Sequence, residues 1–429
     1  MNVNLVMDFG KVVRVAGPAS VEVISGEVLV AGASFTSGSR LVINRYRSYG
    51  IKALRRSELR VVLGDGGSLD EPQSGEEVID SWLSLYDEII KYGGDLRIIV
   101  IGPPESGKTS LTAFIANRLI SSGRDVYVVD SDVGQADISV PCTIGVARPK
   151  EKFLWLRDLQ PFMLRYVGCN SPQYCIHQFI SAFQEVVHSF TRGGSDLVVN
   201  TDGWVYGYGA LELKELMIKV LKPTHVLVLD EALYTYFKGV LRGSSTSVLL
   251  VPRPKAVKER NREDRRYLRH QSYLKVFSCA RRVKLPIDAL TLMGFYVLNG
   301  RYLSINDLAD YIENLNEVRS GIIYSSILQG TLNVVFRRGL KINQSQLILK
   351  SKDLDLNVIY EGDEKGLLVG VLDRDLRDVS VGILDCIDYL ERNIYVITPW
   401  SGDIGGLVIG KVRLGEGYEE VGRVVRCLV

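Results

Sequence analysis

The chain contains few of the residues from which metal sites and disulfide frameworks are built. Its 429 residues include six cysteines and four histidines, and no two cysteines form a C-x-x-C pair. A structural zinc site is therefore not expected, because such sites need closely spaced Cys and His ligands. In a chain of this size the core is large enough to fold without covalent staples. We interpret the cysteines as reduced, as is usual inside cells.

The sequence also lacks a long hydrophobic run and an excess of charge of one sign. The apolar stretches Ile98–Ile101 and Val226–Leu229 are far shorter than the roughly 20 residues that span a bilayer. The first residues carry an acid early and have no long apolar segment, which is not typical of a signal peptide. With 52 Lys and Arg against 50 Asp and Glu, the net charge is +2, so any anion-binding surface must be local. These features predict a cytoplasmic protein that does not bind membranes.

Short apolar stretches separated by glycine-containing turns fill the first 70 residues. Their period-two pattern predicts a small antiparallel β domain. The predicted strands are Val12–Val15, Val21–Ile24, Val28–Val30 and Leu41–Ile43. After a glycine-rich linker, Ile79–Ile90 has apolar residues at helical spacing and ends at a pair of glycines. We therefore expect an N-terminal β-rich domain over residues 1–72.

From Leu96 onward, fully apolar strands alternate with helical stretches. This pattern predicts a parallel sheet covered by helices on both faces. The predicted elements are strands Ile98–Ile101, Val126–Val129, Leu197–Asn200 and His225–Asp230, with a first helix at Ser110–Ile120. From about Asp288 the period-two alternation returns. The expected fold is α/β, with a central parallel-sheet domain over 73–285 and a C-terminal β-rich domain over 286–429.

The loop after the first central strand matches the phosphate-binding pattern G-x-x-x-x-G-K-[ST] in full. Glycines let the backbone wrap closely, so that successive N–H groups face a β-phosphate, and the following helix adds a favourable field for anions. Lys108 is expected to reach the β- and γ-phosphates, and the Thr109 hydroxyl to bind Mg²⁺. The central domain is thus a P-loop domain whose predicted nucleotide-binding residues are Gly102, Pro103, Pro104, Glu105, Ser106, Gly107, Lys108, Thr109 and Ser110.

A second acidic loop follows the next strand along the chain. Asp130, Asp132 and Gln135 lie there, and ligands of open parallel sheets gather at the carboxyl ends of strands. Two carboxylates can serve a magnesium ion directly or through water, and one can accept a proton from an attacking hydroxyl. We therefore predict Thr109, Asp130 and Asp132 as metal ligands. Gln135 is predicted to contact the substrate from the edge of the site, with a cap of the turn as the alternative.

Two further loops follow apolar stretches. The turn from Gly168 to Gln173 can present backbone amides to an anion, although an ordinary loop fits its sequence equally well. Trp204, after Gly203, can offer a flat face for base stacking, worth about 1–3 kcal/mol per base. A half-buried core tryptophan is an equal alternative at that position. These loops are weaker signals than the phosphate loop.

A strongly basic stretch interrupts this nearly neutral sequence. Between Arg253 and Lys284 there are twelve Lys and Arg and three acids, a local excess of +9. Four arginines in it share one helical face at spacings of three and four residues: Arg262, Arg265, Arg266 and Arg269. They either form a lid that neutralises charge on a transferring phosphoryl group or hold a polyanionic substrate by its phosphates.

In this order, the segments GPPESGKT, DSDVGQ, NTDGW and the arginine-rich stretch resemble the polyribonucleotide 5'-hydroxyl kinases. That family includes RNA kinases of mRNA 3'-end cleavage, tRNA splicing and pre-rRNA processing, together with shorter archaeal enzymes. The resemblance covers most of the chain, including the β-rich start and the segment KGLLVGVLDRD near the end. Because long extensions are absent, the chain is most similar to the archaeal members.

The resemblance implies roles for particular residues. Lys108 and Thr109 match the nucleotide-binding pair, and Asp132 matches the acid expected to activate the 5'-hydroxyl. Trp204 matches a tryptophan that packs near the end nucleotides of the substrate. The family has a Thr-Pro-Gly clasp on the γ-phosphate side where this chain has Ser171, Pro172 and Gln173. The lid arginines match Arg265 or Arg266, and Arg269. The family's N-terminal domain helps hold the adenine, with no residues assigned in this chain.

The predicted activity is ATP- and Mg²⁺-dependent phosphorylation of the 5'-hydroxyl end of RNA, with DNA as an alternative acceptor. RNA-processing proteins are expected partners. Two alternatives remain: a scaffold that holds ATP without turnover, and another P-loop NTPase. Partitioning-type ATPases usually carry an extra lysine early in the loop, which is absent here. An N-K-x-D guanine motif is also absent, which favours ATP over GTP.

Overall fold

The computed structural model describes residues 1–73, 75–190, 193–255, 261–340 and 346–423. Their contacts form two compact units, one of residues 1–163 and 171–269, the other of residues 164–170 and 270–429. The first unit therefore contains both the N-terminal strands and the phosphate loop. The division into three domains stays a prediction. In the described part of the chain, every helix is too short or too polar to cross a membrane.

The N-terminal part of the first unit is built from strands only. They are β1 (Asn2–Met7), β2 (Val12–Ala16), β3 (Ala19–Ser25), β4 (Glu27–Val30), β5 (Ala33–Thr36), β6 (Arg40–Ile43), β7 (Ser48–Ala53), β8 (Ser57–Leu63) and β9 (Ser68–Asp70). They form two antiparallel sheets, ordered β1-β8-β3-β6 and β5-β4-β7-β2-β9. The inward positions of the alternating strands form one core that includes Val13, Val21, Ile51 and Val61. The predicted β-rich start is confirmed.

Helices and parallel strands alternate in the rest of the first unit. The helices are α1 (Ile79–Ile89), α2 (Lys108–Ser121), α3 (Ile176–Ser189), α4 (Tyr208–Leu221), α5 (Glu231–Val240) and α6 (Arg262–Phe277), whose last turns belong to the second unit. The strands are β10 (Arg97–Ile101), β11 (Val126–Asp130), β12 (Thr143–Ala147), β14 (Asp196–Asn200), β15 (His225–Val228) and β16 (Ser247–Leu250). Strand β13 (Met163–Tyr166) belongs to the second unit except for its first residue.

Within this unit the sheet is ordered β12-β11-β14-β10-β15-β16. All of these strands run parallel except β12, which is antiparallel to β11. The P-loop strand β10 is buried along almost its whole length and lies between β14 and β15. The predicted P-loop parallel sheet is confirmed. Strand β14 lies between β10 and β11, the strand that leads into the acidic loop.

The second unit consists mainly of antiparallel strands. Its strands are β17 (Arg281–Pro286), β18 (Thr291–Met293), β19 (Arg301–Tyr302), β20 (Ile322–Leu328), β21 (Thr331–Phe336), β22 (Asp355–Tyr360), β23 (Leu367–Leu372), β24 (Asp378–Asp388), β25 (Asn393–Thr398), β26 (Gly406–Leu414) and β27 (Glu420–Arg423). Three short helices are α7 (Tyr296–Asn299), α8 (Ile305–Leu308) and α9 (Leu315–Val318). The sheets are ordered β17-β25-β24-β23-β26-β18, with β27 beside β26, and β19-β20-β21-β22. The predicted C-terminal β-rich region is confirmed.

The cysteines depart in part from the expectation of reduced thiols. Cys169 and Cys175 are disulfide-bonded, so the interpretation is wrong for these two. Cys279 and Cys386 are thiols. Nothing in the local spacing of the cysteines indicated this difference, because no C-x-x-C pair is involved.

Candidate active site

Three loops meet at one edge of the P-loop sheet. Strands β10, β11 and β14 are parallel, and their carboxyl ends lie side by side, with Val100 opposite Asn200 and Asn200 opposite Asp130. Parallel strands that end together place their following loops at the same edge. The phosphate loop, the acidic loop after β11 and the loop after β14 are therefore neighbours.

Hydrogen bonds between its own residues hold the phosphate loop in a compact conformation. Gly107 has φ +97°, a left-handed conformation that glycine adopts without strain. The Ser106 hydroxyl and the Lys108 ammonium both donate to the Pro103 carbonyl, each at 2.8 Å. Lys108 is only 7% exposed. Burial lowers its pKa to about 8, although Asp132 and Asp202 favour its charged form.

Asp130 holds the acidic loop in place. Its side chain is fully buried, and one carboxylate oxygen accepts hydrogen bonds from the Asp137 and Ile138 amides at 2.6 and 3.3 Å. The other accepts from the Asn200 side chain at 2.9 Å. Burial, with the nearby Asp137 and Asp132, raises the pKa of Asp130 to about 7. Through these contacts the Asp130 carboxylate fixes the conformation of the acidic loop. Its role as a metal ligand stays a prediction.

Asp132 is differently placed in the same loop. Its Oδ1 accepts from the amides of Gly134 and Gln135 at 3.1 and 2.9 Å. Its Oδ2 makes no hydrogen bond with the described residues, so it remains available to a ligand. Burial raises the pKa of Asp132, and Asp202 adds to this effect, whereas Lys108 opposes it. The predicted base and the predicted phosphate-binding lysine therefore influence each other electrostatically.

Gln135 lies beside Asp132 and offers an acceptor to a ligand. Its side-chain amide donates to the Gly134 carbonyl at 2.9 Å. Its Oε1 is buried and has no hydrogen-bond partner among the described residues. A buried acceptor without a partner is costly unless a ligand or water supplies a donor. The geometry fits the predicted substrate contact, which stays a prediction.

The residues near the phosphate loop suit magnesium rather than a softer metal. In the described part of the chain, no three or more His, Cys, Asp or Glu side chains are grouped to hold a metal ion. Magnesium usually takes one or two protein oxygens and completes its shell with phosphates and water. The Thr109 hydroxyl at the start of α2 is an oxygen ligand of this kind, and a carboxylate such as Asp132 can serve the ion through water. The donor set therefore fits Mg²⁺.

A buried ion pair that the sequence analysis missed lies in the third loop. Lys214 of α4 is completely buried, and its ammonium contacts Oδ2 of Asp202. Asp202 is 4% exposed, and its Oδ1 accepts from the Trp204 amide at 2.7 Å. The pair thereby anchors the segment that carries Trp204, whose side chain is half-buried. An acid in the NTDGW segment was visible in the sequence, but its lysine partner, twelve residues later, had no recognisable signal.

The third loop packs directly on the phosphate loop at Gly203. A Cβ added at this glycine would lie 2.9 Å from both the backbone nitrogen and the side chain of Pro104. Real Cβ atoms do not approach a neighbouring backbone so closely, and backbone cannot move aside cheaply. Gly203 therefore lets the Trp204 segment approach the phosphate loop.

Substitution Gly203→Ala tests this close approach. We expect the Kd for ATP to rise by roughly tenfold, because the added methyl group pushes Pro104 away from its position. Isothermal titration would measure the change. The control is Gly239→Ala in α5, where a Cβ meets nothing within 4 Å and ATP affinity should be unchanged. An unchanged Kd in the Gly203 variant would show that the two loops are not tightly packed.

The arginine-rich helix brings one of its predicted residues to the phosphate loop. Helix α6 begins after Asn261, which exchanges hydrogen bonds with Asp264 at its first turn. Arg265 forms an ion pair with Glu105 at 3.5 Å. Arg266 is exposed and Arg269 is half-buried on the same helix, and their catalytic roles stay predictions. Two other basic residues of the stretch, Lys258 and Arg260, lie outside the described residues.

The predicted clasp forms a short turn before α3. Pro172–Tyr174 is a single 3₁₀ turn, and the Ser171 carbonyl accepts from the Tyr174 amide at 3.2 Å. Pro172 is buried, whereas Gln173 is exposed. The contacts of Ser171, Pro172 and Gln173 with a substrate stay predictions.

A pocket beside the phosphate loop was also missed. It is bounded by the N-terminal strands, α1 and α2. Gly107 and Ser110 lie along it together with the aromatic rings of Tyr49, Trp82 and Phe114. An ion pair between Arg14 and Glu77 also faces it, and burial raises the pKa of Glu77. Flat apolar walls with a donor and an acceptor fit a purine base. Its residues are too far apart in the sequence to form a motif.

The region that contains this site is similar to known proteins. Residues 102–278 match the family model of the mRNA cleavage and polyadenylation factor CLP1 P-loop. Over these residues the chain is similar to that family. The match begins at Gly102, the first glycine of the phosphate loop, and includes the acidic loop, the Trp204 loop and all of α6.

Curated relatives extend the similarity to most of the chain. It is 27% identical over 340 residues to a polyribonucleotide 5'-hydroxyl-kinase of Methanocaldococcus jannaschii, covering 77% of this chain and 90% of the relative. A polyribonucleotide 5'-hydroxyl-kinase of Pyrococcus abyssi is 26% identical, with 77% and 91% covered. The structure of a Clp1p–Pcf11p complex has TM-score 0.64 at 14% identity, with 96% of this chain and 98% of that chain covered. The last comparison shows a shared fold.

Proposed function

We propose that the protein is an ATP-dependent polynucleotide kinase that phosphorylates the 5'-hydroxyl end of RNA, with DNA as an alternative acceptor. The main support is Asp132, which has one carboxylate oxygen open to a ligand and lies in the electrostatic field of Lys108. A phosphate loop beside such a carboxylate suits transfer of a phosphoryl group to an alcohol. The similarity to the archaeal 5'-hydroxyl-kinases supports the choice of acceptor.

Asp132 would bind the 5'-hydroxyl of the acceptor RNA. Its Oδ2 takes the hydrogen bond of the 5'-hydroxyl and then its proton, while the 5'-oxygen forms a bond to the γ-phosphorus. The bond from that phosphorus to the bridging oxygen breaks, and ADP leaves. The amides of Gly134 and Gln135 hold the other carboxylate oxygen, so Asp132 is already oriented before substrate binds.

Lys108 and Arg265 would neutralise charge. Lys108 must exchange the Pro103 carbonyl for the β- and γ-phosphates, and Arg265 must exchange Glu105. Both exchanges replace an internal partner by a phosphate. Thr109 would hold Mg²⁺ together with the phosphates and water, and the ion would supply positive charge to the transferring phosphoryl group. Asp132 would reach the ion only through water, because its Oδ2 receives the 5'-hydroxyl.

The pocket beside the phosphate loop would hold the adenine. It adjoins Gly107 and Ser110, so a base placed there continues into the phosphate loop. Glu77 supplies an acceptor for an exocyclic amine, and Arg14 supplies a donor for a ring nitrogen. This assignment agrees with the adenine contact that the family resemblance implies for the N-terminal region. We further propose action in the cytoplasm together with RNA-processing proteins.

The experiment is a transfer assay with γ-labelled ATP. An RNA oligonucleotide with a 5'-hydroxyl should become labelled, and the same RNA bearing a 5'-phosphate should not. Parallel reactions with DNA and with γ-labelled GTP define the preferred acceptor and nucleotide. Tight ATP binding without any transfer would contradict the proposal and favour a scaffold. ATP hydrolysis that RNA does not affect would favour another P-loop NTPase.

A further inference from the structure

Two tyrosines that follow Trp204 in the sequence, Tyr206 and Tyr208, do not contribute to the core of the fold. Tyr206 is 70% exposed and Tyr208 is 93% exposed. In the described part of the chain, neither ring contacts another ring and neither hydroxyl makes a hydrogen bond. Val205, between Trp204 and Tyr206, is 2% exposed and fixes the segment to the core. Large aromatic side chains left in water this completely are typical of binding surfaces.

The position of these tyrosines defines what can reach them. Their segment follows Gly203, which packs on Pro104 of the phosphate loop. The Trp204 ring lies over Gly209 at the start of α4, where an added Cβ would be 3.6 Å from the ring. Tyr208 is the first residue of that helix. All three aromatic rings therefore belong to one short segment at the ligand edge of the sheet.

The start of α4 is also suited to a negatively charged chain. No side chain caps this helix, and its first turn contains no acid. The first amides of a helix are unsatisfied donors, and the helix field there favours phosphate. A single-stranded nucleic acid offers flat bases to the exposed rings and phosphates to the helix start. A protein surface matches this combination less well.

We propose that Tyr206 and Tyr208 form, with Trp204, a stacking platform for the unpaired nucleotides that follow the 5'-terminal one. This inference rests on the proposed function and adds the residues that recognise a single-stranded substrate. Stacking on aromatic rings tolerates any base sequence. The platform therefore selects an unpaired 5' end rather than a particular sequence.

The test is the KM for two 5'-hydroxyl RNAs, one of ten nucleotides and one of two. In the double variant Tyr206→Ala/Tyr208→Ala, we expect the KM for the longer RNA to rise at least about tenfold. The KM for the dinucleotide, the KM for ATP and the kcat at saturation should change less than about twofold, because the dinucleotide is too short to cover both rings. The double variant Tyr206→Phe/Tyr208→Phe should behave like the wild type, since phenylalanine keeps the ring.

The control is Tyr296→Ala, which removes another exposed tyrosine, one of the second unit (53% exposed). An unchanged KM for the longer RNA in the alanine double variant would overturn the inference and leave the tyrosines to a protein partner. Equal losses for both RNAs would also overturn it, because they indicate a general defect. Binding of 5'-phosphorylated RNA, followed by fluorescence anisotropy, should weaken in the same variant. This readout separates the inference from the kinase proposal, because it needs no turnover.

Discussion

The variant Asp132→Asn is expected to transfer phosphate at least about a hundredfold more slowly than the wild type, with ATP binding close to normal. Asparagine has nearly the same shape, and its carbonyl oxygen can still accept from the amides of Gly134 and Gln135. The loop should therefore keep its conformation. The amide cannot take the proton of the 5'-hydroxyl, and it removes a negative charge near Lys108. The substitution should therefore slow only the phosphoryl-transfer step.

Single-turnover transfer and isothermal titration with ATP separate these two effects. The control is Asp230→Asn, at the end of β15 on the other side of the phosphate-loop strand. Asp230 caps α5 by accepting from the Leu233 amide, and asparagine is an equally good cap. This control should keep full activity. Wild-type transfer by the Asp132 variant would show that another group orients the acceptor.

The variant Lys214→Met should have the largest effect on stability. It removes the only cation that contacts Asp202 among the described residues, and it leaves that carboxylate buried and unpaired. Breaking a buried ion pair in this way costs about 3–5 kcal/mol. Because proteins are stable by only about 5–15 kcal/mol, the loss should be visible as a much lower urea midpoint.

Two further variants show whether the loss of stability comes from the unpaired charge or from packing. Asp202→Asn/Lys214→Met replaces the pair by neutral groups of similar size and should recover most of the stability. Lys219→Met, an exposed lysine on the same helix, should change the free energy of unfolding by less than about 0.5 kcal/mol. Equal losses in the single and double variants would mean that packing around Lys214, rather than its charge, stabilises the helix.

The sequence predicted well those features that depend on local pattern. The phosphate loop is contiguous, so its glycines, lysine and threonine could be read without knowledge of the fold. The buried strands β10, β11 and β14 are short apolar runs with recognisable ends, and this is why Asp130, Asp132 and Trp204 were found. The period-two pattern identified the β-rich regions at both ends of the chain for the same reason.

Features that depend on packing could not be read in this way. Lys214 pairs with Asp202 only because α4 returns it to the loop that follows β14, whereas a lysine in a helix normally points to water. The pocket beside the phosphate loop joins Arg14, Glu77 and Phe114, which come from three separate parts of the chain. Asp130 looked equivalent to Asp132 in sequence, but its burial directs its oxygens to the Asp137 and Ile138 amides and the Asn200 side chain.

The most direct test of the account is the balance between ADP formed and phosphate transferred. The central claim is that Lys108, Mg²⁺ and Asp132 act together on one γ-phosphoryl group and deliver it to a sugar alcohol. The account predicts about one phosphate on the 5'-oxygen of RNA for each ADP formed, with little ADP in the absence of 5'-hydroxyl RNA. ADP formation that is fast without RNA and leaves the 5' end unmodified would contradict it.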